Sequence, residues 1–310
     1  MTRPQPSLDL PVQVANPGQF FACCGVLELA QRLWPGAVGW FRAEAPVFCL
    51  GRPGGTGSMK PLASKLMDAG IEGDLTPEER NELSRLEAQK RTLAKKREAL
   101  SDADHERRSE LGKRLREGAL RVGDPFDLRL DWWQEEGDDV PKTFAGKQEV
   151  LRMARAMLAE VPCGFDVARP LEYRTLLKAV KEASTAGVAK GKRTAESKVE
   201  PFYFDAARFA HALDAGFSLD VQEKNLRATA APVTELLALI GLQRFRPKLT
   251  GDWTFEYFTW HKPLGAPVAA GVAGGAVAMA DSGRYRFRLR FRDDQKRYKA
   301  FGFAKPMEIE

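Results

Sequence analysis

Metal-binding and redox-active side chains are scarce in this 310-residue chain, which has four cysteines and three histidines. The cysteines are Cys23, Cys24, Cys49 and Cys163, with no CxxC pair among them. His105, His211 and His261 are far apart, so the spacing gives no support to a zinc site, and neighbouring cysteines rarely bridge each other. HExxH, GxSxG, an HD pair, the Rossmann glycines and the GxxxxGK[ST] phosphate loop are all missing. No apolar run approaches the ~20 residues of a membrane span. The N-terminal MTRPQPSLDL lacks the apolar core of a signal peptide, so a cytoplasmic location is expected. The expectation is therefore no catalytic residue, no metal, no cofactor and no membrane partner.

What is present is enough apolar residue, 44%, to fill a sizeable core, and a net charge of +6 that favours an anionic partner. Leu8 to Val14 reads as a short strand, with Pro11 marking an edge or a bulge. Asn16 is a good N-cap and Pro17 suits the first helical position. Phe20, Phe21, Cys24, Leu27 and Leu33 then recur at helical spacing until Pro35–Gly36. Gly25 lies inside that helix, where glycine costs about 1 kcal/mol relative to alanine; close approach of another backbone would explain it. Cys23 and Cys24 flank Gly25 and are read as packing residues; a reactive thiol needs the first helical turn, which they have passed.

Pro46 to Leu50 reads as a buried strand and Lys60 to Ala69 as a helix. Between them, Gly51 to Gly57 (GRPGGTG) makes a loop, solvated or in contact with a phosphate. Thr76–Pro77–Glu78–Glu79 starts a helix with Leu86, Leu93 and Leu100 seven apart among charges. After Ser101–Asp104 a second charged helix runs to Glu117, giving a hairpin that is a solvated feature or a protein- or backbone-contacting arm. Phe126 to Trp133 alternates as a strand, and Phe144 to Glu160 fits a helix. Residues 183–199 read as a linker or mobile loop carrying Lys190, Lys192 and Arg193, which either contacts a backbone or is simply solvated. Asp205 to Leu213 and Ala231 to Leu242 read as helices; the end of the second, LIGLQRFRP, loosely echoes LELAQRLWP of the first helix.

Trp253 to Trp260 is an aromatic strand, and Tyr285 to Arg292 (YRFRLRFR) is the most informative stretch. Tyr285, Phe287, Leu289 and Phe291 take one face; Arg286, Arg288, Arg290 and Arg292 take the other. Like charges ~7 Å apart lie within a Debye length and repel. Either acidic residues on adjacent strands satisfy them, or they form a cationic strip along a phosphate backbone, extended by Lys296 and Arg297. His261, after the aromatic strand, is the one candidate base for metal-free RNA cleavage.

VANPGQFFACCGVLELAQRLWPG (14–36), PVTELLALIGLQRFRP (232–247) and FEYFTWHKPL (255–264) together carry a resemblance. They resemble a family of CRISPR-associated effector-complex subunits of type I-G (formerly I-U) systems. The resemblance implies a non-catalytic part of a Cascade-like, RNA-guided surveillance complex in antiviral defence. It implies guide RNA, target DNA and other effector-complex subunits as partners. It also implies an α+β fold with a ferredoxin-like or RNA-recognition-type sheet core and helical insertions. The expected organisation is 1–75 as the first part of the core, 76–118 as the charged helical hairpin, and 119–310 as the remainder. The alternatives are a metal-independent endoribonuclease processing CRISPR RNA and a pure assembly subunit.

Overall fold

The computed structural model describes residues 5–54, 58–135, 140–144, 148–180, 199–208, 229–291 and 299–308. At its centre two helices cross. Helix α1 (Pro17–Leu33) starts where the Asn16 side chain accepts the Gly18 N–H at 3.1 Å. Its residues from Pro17 to Ala30 are all buried, as is every residue of α7 (Pro232–Gly241). A helix buried all round needs neighbours on every side, and each is the other's nearest. A Cβ on Gly25 would lie 2.1 Å from the Leu237 carbonyl oxygen, and one on Gly241 would lie 2.1 Å from that of Phe21. The glycine notch is thus reciprocal, and it is the close backbone approach that Gly25 called for.

Antiparallel sheets flank this pair. The first comprises β1 (Leu8–Pro11), β2 (Val38–Phe41) and β3 (Val47–Gly51) in the order β1-β3-β2. Pro11 lies on its edge strand, where a missing N–H is tolerated. The second comprises β7 (Lys248–Gly251), β8 (Thr254–Phe258), β9 (Arg284–Phe291) and β10 (Lys299–Phe301) in the order β10-β9-β8-β7. Strand β11 (Lys305–Met307) also pairs with β9. The Phe41 N–H donates to Trp260 O at 2.8 Å and the Trp260 indole to Gly39 O at 2.7 Å, which ties the two sheets together. Phe20 stacks on Tyr257 at 4.2 Å, and Phe21 meets Phe287 and Phe301 edge-on. Helix α8 (Ala266–Ala273) packs against α1, β2 and β8.

The echo between LELAQRLWP and LIGLQRFRP has a structural counterpart. Gln31 accepts the N–H of Ala266 at the start of α8, and Gln243 accepts the Asp131 N–H at 2.9 Å before a short 3-10 turn. Arg32 and Arg244 both converge on the buried Glu28. Each helix is followed by a strand pair whose second member is central, in β1-β3-β2 and in β9-β8-β7.

A third sheet joins β4 (Ile71–Gly73), β5 (Leu120–Val122) and β6 (Leu128–Leu130). Helix α2 (Lys60–Ala69) precedes it. The charged hairpin, α3 (Pro77–Lys96) and α4 (Asp102–Glu117), is inserted between β4 and β5, whose pairing holds its two ends together. The Thr76–Glu79 capping box forms as expected. Leu75, Leu83, Leu86 and Leu111 make the hairpin its own small core near the base. Helix α5 (Val150–Leu158) lies within the helix expected over 144–160, and a separate α6 (Val161–Phe165) begins just beyond its end. Pro162, without an N–H, sits at the start of the second.

The α+β class holds. The order β1-β3-β2, with α1 between β1 and β2, matches one half of a ferredoxin-like domain. Among the described residues, however, no strand pairs with the other edge of β1 to complete four. The strand expected through Trp133 ends at Leu130. Beyond it the Trp132 and Trp133 indoles donate to Leu239 O and Glu117 O, both at 3.0 Å, and these divergent anchors turn the chain.

Candidate nucleic-acid interface

The alternation of β9 is realised as expected: Phe287 and Leu289 are buried, and Arg288 and Arg290 are exposed. Strand register sets Lys248, Glu256, Arg286 and Lys305 opposite one another in a row across β7, β8, β9 and β11. Paired residues share a face, so the row belongs to the arginine face. Arg284 lies one step along, beside Glu256.

Glu256 is only 1% exposed. Isolated there, its charge would cost several kcal/mol. Arg284 donates to both its oxygens at 3.1 Å, and the Arg286 guanidinium approaches one of them at 2.6 Å. An acidic neighbour therefore satisfies Arg286, as one of the two sequence readings held. Arg288 differs: its side chain, opposite Thr254, has no ion pair or hydrogen bond among the described residues. Arg290 is exposed opposite Ala300, and Lys248 and Lys305 are exposed as well. Among the described residues, Arg288, Lys248 and Lys305 thus stand on this face beyond the two arginines that Glu256 holds. Arg292, Lys296, Arg297, Lys190, Lys192 and Arg193 lie outside the described residues.

Near the base of the hairpin, charges pair internally. Arg114 bonds Asp74 and Glu79, and Arg107 bonds Glu82 and Glu110. His261 places Nδ1 2.9 Å from Phe41 O. A carbonyl can only accept, so Nδ1 carries the proton and holds the ring to β2. Cys23 and Cys24 are completely buried, and burial pushes both thiols well above their ordinary range, which favours packing over reactivity. No group of three or more His, Cys, Asp or Glu side chains is placed to hold a metal among the described residues. No described helix is long and apolar enough to cross a membrane.

A second polar centre escaped the sequence reading. The Asn16 amide donates to Asp205 at 2.6 Å while its oxygen accepts the N–H groups of Gly18 and Ala206. Arg174 holds the other Asp205 oxygen at 2.7 Å. Glu235 accepts the N–H groups of Phe204 at 3.0 Å and Asp205 at 3.1 Å. Burial, and then the charge of Asp205, push Glu235 up to about 7. The one available signal was an acid in the otherwise apolar helix PVTELLALIG. The cluster pins segment 202–206 against the N-terminal ends of α1 and α7.

Comparison with known protein families, with curated proteins and with solved structures gives no match for this chain.

Proposed function

We propose that the chain is a non-catalytic, nucleic-acid-binding subunit of a type I CRISPR surveillance complex, holding guide RNA or target DNA through its phosphates. The observation that carries the binding part is the exposed cationic face around Arg288, where Glu256, the buried carboxylate of that face among the described residues, is already held by Arg284 and Arg286. Arginines on alternate strand positions stand ~7 Å apart, an interval that suits successive phosphates. In guide-RNA complexes the protein grips backbone while base pairing reads sequence, so a cationic face without a base-specific code fits the task. The CRISPR setting rests on the three motifs that resemble type I-G subunits. These motifs supply α1, α7 and β8, the mutually packed centre of the fold.

The test is purification of the complex from cells carrying the neighbouring subunits, with wild type or with Arg288→Glu/Arg290→Glu. Both side chains are exposed, and the melting temperature of the variant checks that it folds as wild type does. Guide RNA should accompany wild type and be lost from the variant. Equal recovery of guide RNA in both would remove this face from nucleic-acid binding.

A further inference from the structure

The apolar side chains left exposed on the described surface are aliphatic, with one exception, Phe303, which is 41% exposed. Scattered exposed aliphatics need no explanation. The position of Phe303 does call for one. Phe301 pairs with Leu289, and Lys305 pairs with Arg286. Gly302, Phe303 and Ala304 therefore lie opposite Phe287 and Arg288, one residue more than regular pairing needs. An extra residue re-aims a side chain, as β-bulges beside binding sites do. The Gly302 N–H still donates to Arg288 O at 3.0 Å, and the Ala304 N–H donates to Ala15 O at 2.8 Å. The excess is thus absorbed at Phe303. A Cβ on Gly302 would lie 3.0 Å from Arg288 O and 3.2 Å from the Arg290 guanidinium, so glycine lets this segment lie close against the arginine strand.

We infer that Phe303 is a base-stacking platform and that the arginine face takes single-stranded, not duplex, nucleic acid. By this register Arg288 lies opposite the 302–304 segment and Lys305 two residues along from Phe303, and these two would hold the phosphates on either side of the stacked base. A cationic groove interleaved with an exposed ring is the arrangement that binds single strands without sequence preference, since every base has a π-face. A duplex keeps its bases stacked on one another and offers Phe303 nothing. This inference rests on the nucleic-acid reading above and adds the strandedness and the stacking residue to it.

The test measures binding of the full chain to a short oligouridine carrying 2-aminopurine, whose emission is quenched on stacking. Oligodeoxythymidine with the same label separates RNA from DNA, and an RNA duplex of equal length is the comparison. Phe303→Leu should weaken single-strand binding roughly 5- to 100-fold and abolish the quench. The salt slope and the duplex affinity should stay unchanged. Phe303→Tyr should restore both affinity and quench, which a packing role for the ring at this exposed site would not require. Loss of affinity in Arg288→Glu/Arg290→Glu with none in Phe303→Leu would overturn the stacking platform and leave the backbone cradle standing. Equal losses for single strand and duplex in Phe303→Leu would overturn the strandedness. Wild-type affinity in every variant would overturn the nucleic-acid reading itself.

Discussion

Glu235 reverses the usual sign of a carboxylate's contribution. Its folded pKa, about 7, lies above the ordinary 4.5, so at pH between those values the folded chain keeps a proton that the unfolded chain releases. Stability from this group is full below about pH 4.5 and falls as pH rises through about 7. The loss is of the order of 3 kcal/mol. Burial is the main cause, with Asp205 also opposing the ionised form and Arg208 favouring it. Glu235→Gln should flatten the dependence of melting temperature on pH between 5 and 8, whatever its effect at one pH. An unchanged slope would assign the dependence elsewhere. This residue also marks the limit of sequence reading. Asn16 was legible as a helix cap because capping is local. Its bond to Asp205 was not, because nothing in the sequence links positions so far apart.

The crossing of α1 and α7 is the most exacting contact between elements. A methyl on Gly25 or Gly241 would meet a carbonyl oxygen at 2.1 Å, a distance no rotamer can relieve. Gly25→Ala should destabilise the protein by about 3 kcal/mol or more, read from chemical denaturation. Gly241→Ala should cost a similar amount. The double variant should cost less than the sum, because one separation of the helices accommodates both methyls. The hairpin behaves as the opposite kind of element. Its own small core around Leu86 and Leu111 is separate from the main one. Leu86→Ala should speed amide exchange in α3 and α4 while leaving α1 and α7 protected. Exchange rising equally everywhere would show the hairpin to be part of the global unit. Both elements were legible in outline, since a helix cap and a mid-helix glycine are short-range signals, whereas of the heptad leucines only Leu86 joins the hairpin core. Strands β4, β5 and β10 were not: at three residues each they hold too little pattern to reveal a period.

Across the whole molecule, charge is distributed with a bias that a net value of +6 does not convey. Near the base of the hairpin Arg107 and Arg114 pair with acids, and Glu28 gathers Arg32 and Arg244. On the sheet face, Arg288, Lys248 and Lys305 have no acidic partner among the described residues. The alternation of YRFRLRFR announced the two faces, because a strand's period is carried in a few residues. It could not say which arginines find an acid, because that depends on the register with β8. Glu256 has a further consequence. A mobile cation condensed on a nucleic acid gains mixing entropy when a protein cation displaces it, and a mobile anion leaving the protein gains likewise. Glu256 is an anion tethered to the chain and has nowhere to go. Arg284 and Arg286 therefore add little to any ionic-strength dependence, which should count mainly the arginines beyond them. Glu256→Gln would free both at some expense of stability, and binding to a single strand should then fall more steeply with added salt, by up to ~0.7 in logarithmic slope for each arginine released.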